Sequence, residues 1–359
     1  MREKANNNNK YQILLLTDDA LFPSTRFQGS KAKIVDWVWD AIKDLEFNSV
    51  LDAFGGTGCV GYMLKSKDKR VTYNDILKFN WYIGTALIEN SYVKLMDEDV
   101  AFVLDKHKHI EYPTFVTDTF RGIYFTDEEN EWIDRVVTNI EHLSNLYKKA
   151  IAYFALFQAC IIKRPFNLFH RKNLYIRLAD VERNFGNKTT WDTPFETHFR
   201  QFVAEANQAV FSNGQENKAL NNDALNVEGD FDLVYIDTPY VSSKGIGVDY
   251  LNFYHFIEGL VHYPDWDKMI DYRTKHRRFK QTTSVWTDKR KITSAFDQLF
   301  RKFRDSIWVV SYRADGIPSI SDLVSLLRQY KSHVQELDRT EYKYVLSTNE
   351  SAEVLLIGR

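Results

Sequence analysis

One ten-residue run constrains this chain more than any other: Phe231-Asp232-Leu233-Val234-Tyr235-Ile236-Asp237-Thr238-Pro239-Tyr240. Leu233 to Ile236 are apolar and β-prone, which predicts a buried strand. Pro239 lacks an amide hydrogen and has a fixed φ, so the strand cannot run through it. The chain must leave its sheet at Asp237. In an open α/β sheet, ligands sit in the crevice at the carboxyl ends of the strands. A carboxylate, a rigid proline and a flat ring therefore arrive together at a ligand-binding edge. They suit the gripping of an exocyclic amine on a planar base. The carboxylate accepts one N–H, a backbone carbonyl accepts the other, and the ring stacks on the base face. By itself, the run reads equally well as a strand closed by an Asp-Pro turn.

A second run shifts that balance. Val50-Leu51-Asp52-Ala53-Phe54 is a short strand candidate that leads into Gly55-Gly56-Thr57-Gly58-Cys59-Val60-Gly61 and a helix through Tyr62, Met63 and Leu64. Glycines there permit a tight turn and close approach of a ligand to the backbone. A further apolar run, Val71-Thr72-Tyr73, ends in Asn74-Asp75, where an acid can hold ribose hydroxyls. Gly56 to Gly61 fits G-x-G-x-x-G with Asp75 nineteen residues on, the dinucleotide pattern of dehydrogenases. Phe54, Gly56 and Gly58 equally fit F-x-G-x-G, a pattern of S-adenosylmethionine enzymes. Both cofactors carry an adenosine ribose, so this loop alone does not separate them. The Asp-Thr-Pro-Tyr run does, because an amino-methyltransferase needs such a grip and a dehydrogenase does not.

Upstream, Ser24-Thr25-Arg26-Phe27-Gln28-Gly29-Ser30-Lys31 precedes a helical pattern with Ile34, Val35, Val38, Ile42 and Leu45 on one face. Gly29 or Ser30 is the expected helix start, where the dipole favours an anion. Lys31 adds a mobile positive charge suited to a cofactor carboxylate. An ordinary capped amphipathic helix gives the same pattern.

In this order, Arg26-Phe27-Gln28-Gly29-Ser30-Lys31, Asp52-Ala53-Phe54-Gly55-Gly56-Thr57-Gly58, Asn74-Asp75 and Asp237-Thr238-Pro239-Tyr240 resemble the motifs of the Dam-like DNA adenine (N6) methyltransferases. Further similar pieces are Tyr124-Phe125-Thr126, Phe253-Tyr254-His255, and Ser311-Tyr312 with Gly316-Ile317-Pro318-Ser319. The resemblance implies S-adenosylmethionine as cofactor. Its binding residues would be Phe27, Gly29, Ser30, Lys31, Asp52, Phe54, Gly56, Gly58, Asp75, Asp223 and Asp237. Asp223 would bind the adenine end, although a solvated turn explains it as well. Thr238 stands where the family most often has proline. The position mainly offers its carbonyl, which threonine keeps.

The implied chemistry places Asp237, Thr238, Pro239 and Tyr240 at the catalytic centre. The N6 lone pair of adenine is delocalised into its ring. Hydrogen bonds from N6–H to Asp237 and to the Thr238 carbonyl would push the nitrogen toward tetrahedral geometry for in-line attack on the methyl. Tyr240 would stack on the target base, flipped out of double-stranded DNA. Cytosine N4 methylation uses similar geometry, and a non-catalytic DNA-binding module is the alternative from another class. A cytosine C5 enzyme would need a nucleophilic cysteine. Cys59 lies in the glycine loop and Cys160 in an apolar helix, positions that do not suit one.

The expected fold is α/β: a doubly wound methyltransferase sheet with a closing antiparallel hairpin and an inserted, mostly helical target-recognition region. Residues 20–105 and 216–359 form the catalytic part and 110–215 the insertion, with helices over Glu128–Tyr147, Lys148–Ile162 and around Phe195–Val210. Near the end, Ile307–Ser311 reads as a strand and Ile320–Tyr330 as a helix. Tyr342–Leu346 with Val354–Ile357 reads as the hairpin. Net charge is −2, yet between Asp271 and Arg304 stand eleven Lys or Arg against three acids. Segment 265–305 is therefore expected to contact the DNA backbone through Arg273, Lys275, Arg277, Arg278, Lys280, Lys289, Arg290 and Lys291. A smaller basic stretch holds Lys163, Arg164, Arg171, Lys172, Arg177 and Arg183 among Phe166, Phe169 and Tyr175. Two cysteines and the lack of a signal-like or membrane-length segment suggest a bacterial- or phage-type cytoplasmic protein. No Cys-x-x-Cys or His cluster calls for a metal. A cognate restriction endonuclease is a partner that the resemblance allows for. The DNA recognition sequence and the oligomeric state are not legible.

Overall fold

The computed structural model describes residues 21–25, 27, 29–179, 188–242, 247–339 and 352–359. Seven strands form one sheet. They are β1 (Ser49–Asp52), β2 (Arg70–Asn74), β3 (Lys218–Leu220), β4 (Leu233–Ile236), β5 (Ile307–Arg313), β6 (Val334–Arg339) and β7 (Glu353–Gly358). Their order is β3-β2-β1-β4-β5-β7-β6. The first five run parallel, while β7 is antiparallel to both β5 and β6. The order reverses between β1 and β4, where Val50 lies opposite Leu233. Such a switch point opens a crevice beyond the strand ends.

β1 and β4 are buried throughout because both faces of the sheet are covered. Leu233 and Tyr235 point into one core, and Val234 and Ile236 into the other. The first core also holds the helices Asp127–Glu141, Leu146–Ile162 and Phe195–Ala209. The second is closed by Ile292–Lys302 and Ile320–Leu327. From Ala150 to Ile162 the central helix is buried at every residue, as a helix apolar all round must be. The region 110–215 thus shares a hydrophobic core with the sheet.

Several boundaries differ from the sequence reading. The helix after Lys31 starts at Val35, not at Gly29 or Ser30. Residues 31–34 form a turn closed by Ile34 N–H to the Lys31 carbonyl, and the Ser30 hydroxyl faces that of Thr57 at 3.3 Å. The helix expected to Tyr147 ends at Glu141, because Asn145 caps a new one by accepting from Tyr147 and Lys148 N–H. Thr126 and Glu129 form the capping box at its start. The helix from Ile320 ends at Leu327 rather than Tyr330. In the hairpin, β7 pairs with Val334–Arg339; Tyr342–Leu346 lies outside the described residues. β6 is an edge strand with only two apolar residues, Val334 and Leu337, which hides it from an apolarity search.

Candidate active site

At the switch point, a cavity of about 340 Å³ opens over the ends of β1, β2 and β4. The Ala53 N–H donates to the Tyr235 carbonyl (3.0 Å), so the loops that follow β1 and β4 leave the sheet side by side. Of the expected residues, Phe27, Gly29, Ser30, Lys31, Asp52, Phe54, Gly56, Asp75, Asp223, Asp237 and Pro239 line the cavity. Gly58 does not, but its φ of +77° turns the chain into the helix Cys59–Ser66. Arg26 and Gln28 lie outside the described residues.

The glycine loop is tied to β2. Gly56 N–H donates to Asp75 Oδ2 (2.9 Å) and Leu77 N–H to Oδ1 (2.8 Å), which fixes the carboxylate at the rim. Burial pushes the Asp75 carboxyl up to about 6, against the pull of these amides. Asp52 is almost wholly buried. Its Oδ2 accepts from Gly61 N–H (3.1 Å), while Oδ1 has no partner among the described residues. Burial, and then the charge of Asp237, raise its pKa to about 8. The Asp223 side chain caps the short turn Ala224–Asn226 through Leu225 N–H.

Asp237 meets Lys31. The Lys31 ammonium lies 3.1 Å from Asp237 Oδ1 and 2.9 Å from Glu353, and it donates to the Tyr240 hydroxyl. Tyr240 in turn donates to Asp237 Oδ1 (2.9 Å). Burial raises the Asp237 carboxyl to about 6; Lys31 opposes that shift and Glu353 adds to it. Two expectations change here. Lys31 is not a mobile charge but is buried, its ammonium engaged by two carboxylates and a phenol. Tyr240 is only 4% exposed, sets its ring edge-on to Tyr312, and lies outside the cavity lining. In this arrangement its face is not presented to a base. Thr238 is also buried outside the lining. The rings that do line the cavity include Phe27, Tyr250, Phe279 and Trp286. Tyr250 and Tyr254 both stack on Phe27, at 5.7 and 4.2 Å.

Sequence reasoning missed much of the wall. Met269, Phe279, Thr282, Ser284, Trp286 and Thr287 close one side, from a segment read only for its charge. Tyr250 and Glu258 come from the helix after the Asp-Thr-Pro-Tyr run. Glu258 accepts from Lys78 and Phe79 N–H and so caps the helix Lys78–Gly84 at the rim. Glu353 stands in the sequence as an acid ahead of Val354-Leu355-Leu356-Ile357, which reads only as a strand boundary.

The basic residues divide into two groups. An isolated bridge between Ile270 and Phe279 closes a loop that carries Arg273, Lys275, Arg277 and Arg278. Lys289, Arg290 and Lys291 precede the helix Ile292–Lys302. The cavity wall runs between the two groups. Local partners engage several of these cations. Arg273 pairs with Asp271 (2.8 Å) and Arg290 with Asp288 (3.5 Å). Lys280 donates to the Lys268 carbonyl and Arg277 to that of Tyr272. Lys275, Lys289 and Lys291 stand exposed. The smaller basic stretch is largely structural. Lys163 and Arg177 are buried against Glu129, and Arg164 donates to the carbonyls of Tyr124 and Arg171. Phe169 is core and Phe166 is exposed; Arg183 lies outside the described residues. Among the described residues, no helix is long and apolar enough to cross a membrane.

Comparison with known proteins fits this geometry. The type II methyltransferase M2.HphI of Haemophilus parahaemolyticus is 26% identical over 340 residues, covering 92% of this chain and 95% of that protein. The modification methylase LlaI of Lactococcus lactis subsp. lactis and the type II methyltransferase M.FokI of Planomicrobium okeanokoites are each 24% identical, over 91% and 85% of this chain. The chain spans about half of each of these two longer proteins, 52% and 47%. A family model described as D12 class N6 adenine-specific DNA methyltransferase matches residues 27–304. The chain belongs to that family of adenine-specific DNA methyltransferases.

Proposed function

We propose that the cavity binds S-adenosylmethionine beside an adenine everted from double-stranded DNA, with Asp237, which lines it, gripping the N6 amine. The observation that carries this reading is the charge of the lining. Lys31 is the one cation in it among the described residues, set against Asp52, Asp75, Asp223, Asp237, Asp249 and Glu258. A buried excess of carboxylate favours a cationic ligand and opposes a dinucleotide pyrophosphate. The unpartnered Asp52 Oδ1 is an acceptor for an ammonium, and Asp75 keeps lone pairs for ribose hydroxyls. S-adenosylmethionine, when bound, supplies an electrophilic methyl on sulfur. The described contacts of Asp237 fall on Oδ1, which leaves Oδ2 to accept an amine hydrogen. Accepting it localises the nitrogen lone pair toward the methyl, and fixed geometry supplies much of the rate.

Region 110–215 is read as the target-recognition part, and the two basic groups beside the cavity wall as contacts to the phosphate backbone. Likeness to type II modification methylases supports a pairing with a restriction endonuclease. The test is transfer of tritiated methyl from S-adenosylmethionine to duplex DNA, followed by nucleoside analysis. Label in N6-methyladenine from the intact chain, and at least about a thousandfold less from Asp237→Ala, is the expected result. Label in N4-methylcytosine, or an active alanine variant, would refute the reading.

A further inference from the structure

Glu353 lies directly behind the catalytic carboxylate. It opens β7, opposite Arg313 of β5, and is fully buried. Its Oε1 lies 2.9 Å from the Lys31 ammonium and 3.3 Å from the Tyr240 hydroxyl, and it accepts from the Ser311 hydroxyl. The lysine ammonium has three N–H donors, and three acceptors surround it: Asp237 Oδ1, Glu353 Oε1 and the Tyr240 oxygen. The same two groups that touch Asp237 therefore also touch Glu353. We infer that Glu353 is a positioning residue for methyl transfer: it holds Lys31 and Tyr240 against Asp237 Oδ1, so that Oδ2 faces the cavity with its full accepting power.

The inference rests on the reading of Asp237 as the group that grips the amine. A buried ammonium placed beside one carboxylate pairs with it completely. Such a pair would draw electron density from Asp237 and weaken it as an acceptor. A second carboxylate on the far side divides the ammonium between two partners. The charged and titratable groups facing Asp237 are Lys31, Tyr240 and Glu353, with Asp52 on β1 and Tyr235 on β4. Of these, Lys31 lowers the Asp237 pKa and Glu353 raises it, beneath the larger effect of burial.

The experiment is single-turnover methyl transfer from pH 5 to 8.5, at saturating S-adenosylmethionine and DNA, for the full-length chain and its Glu353→Gln and Glu353→Asp variants. Asp237 must be ionised to act, so the rate falls on the acid side. Glu353→Gln is expected to move that acid limb down by about one pH unit. It is also expected to lower the plateau rate about tenfold, through the altered aim of Asp237. Glu353→Asp keeps the charge and is expected to keep the limb where the wild type has it. A structural filler would change thermal stability without moving the limb. Gln leaves one ammonium with one carboxylate, a balanced pair; should it not fold, Glu353→Met removes the same charge and is expected to show the same shift. A limb that stays in place in the charge-removed variant overturns the inference alone. A wild-type chain that transfers no methyl to adenine overturns the reading of the site and this inference with it.

Discussion

Gly29 offers a sharp test of how the cavity is built. Its φ is +84°, a conformation that costs an L-residue about 1–2 kcal/mol. A Cβ added there would sit 2.2 Å from the Tyr250 hydroxyl oxygen, inside any real contact. In Gly29→Ala, Tyr250 must therefore withdraw from its stack on Phe27, where the rings lie 5.7 Å apart at 17°. Losing that stacking costs about 0.5–1.5 kcal/mol. The sum, about 1.5–3.5 kcal/mol, arises whether or not a ligand is bound and therefore falls on folding stability. Urea unfolding measures it. The clash portion can be separated with Tyr250→Phe, which deletes the offending oxygen and leaves ring carbons at 3.2 and 3.6 Å from the new Cβ. In that background, Gly29→Ala should cost only the φ term. The two substitutions should therefore couple by about 1 kcal/mol. Equal costs in both backgrounds would refute the geometry at this corner.

Two stability measurements probe the charged groups. With its pKa raised to about 8, folded Asp52 keeps a proton that the unfolded chain releases near pH 4. Its stabilising contribution is full below about pH 4 and is lost as pH rises through about 8. The chain without cofactor should therefore lose about 1 kcal/mol per pH unit between pH 6.5 and 8. Asp52→Asn should flatten that slope in calorimetric melts, and an unchanged slope would remove the buried acid from the account. Glu129 takes both ends of Arg177 (2.9 and 2.7 Å) and the Lys163 ammonium (2.9 Å). Glu129→Ala strands two buried cations, and urea unfolding should show a loss of about 3–5 kcal/mol. A loss under about 1 kcal/mol would mean that the cluster is not holding the helical region to its neighbours.

The strands that carry the site were legible because burial on both faces leaves a continuous apolar run. β1, β4 and β5 could be read from Val50-Leu51, Leu233 to Ile236 and Ile307 to Ser311. β3 has only three residues, and β6 carries four polar residues out of six without strict alternation, so neither announces itself. The glycine loop and Asp75 were readable because close backbone approach leaves few residue choices there. Charge counting along the chain gives no role to Lys163, Arg164 and Arg177. It cannot see that Glu129 and the Tyr124 carbonyl wait for them across the fold. The wall from Met269 to Thr287 was hidden for a related reason. Beyond Met269, which ends the short helix Trp266–Met269, its residues face the cavity from irregular backbone, where no period exists to separate inward from outward.

The same limit explains why the most informative group, Glu353, emerges only in three dimensions. An acid at the start of an aliphatic strand reads as a strand boundary. Across the sheet it stands next to Ser311, and above it lie Lys31 and Tyr240, which come from segments 209 residues apart. Motif reading assigned Lys31 to the cofactor and Tyr240 to the base, one residue to each ligand. In the structure both also meet one carboxylate pair, Asp237 and Glu353. A cavity with more acid than base is costly to hold without a ligand, because Asp52, Asp75 and Asp237 are each pushed toward protonation by burial. A bound sulfonium and ammonium would relieve that cost and draw the same carboxylates back to their charged, accepting forms. Cofactor binding would then do more than deliver a methyl group: it would prepare Asp237, the acid proposed to accept from the amine.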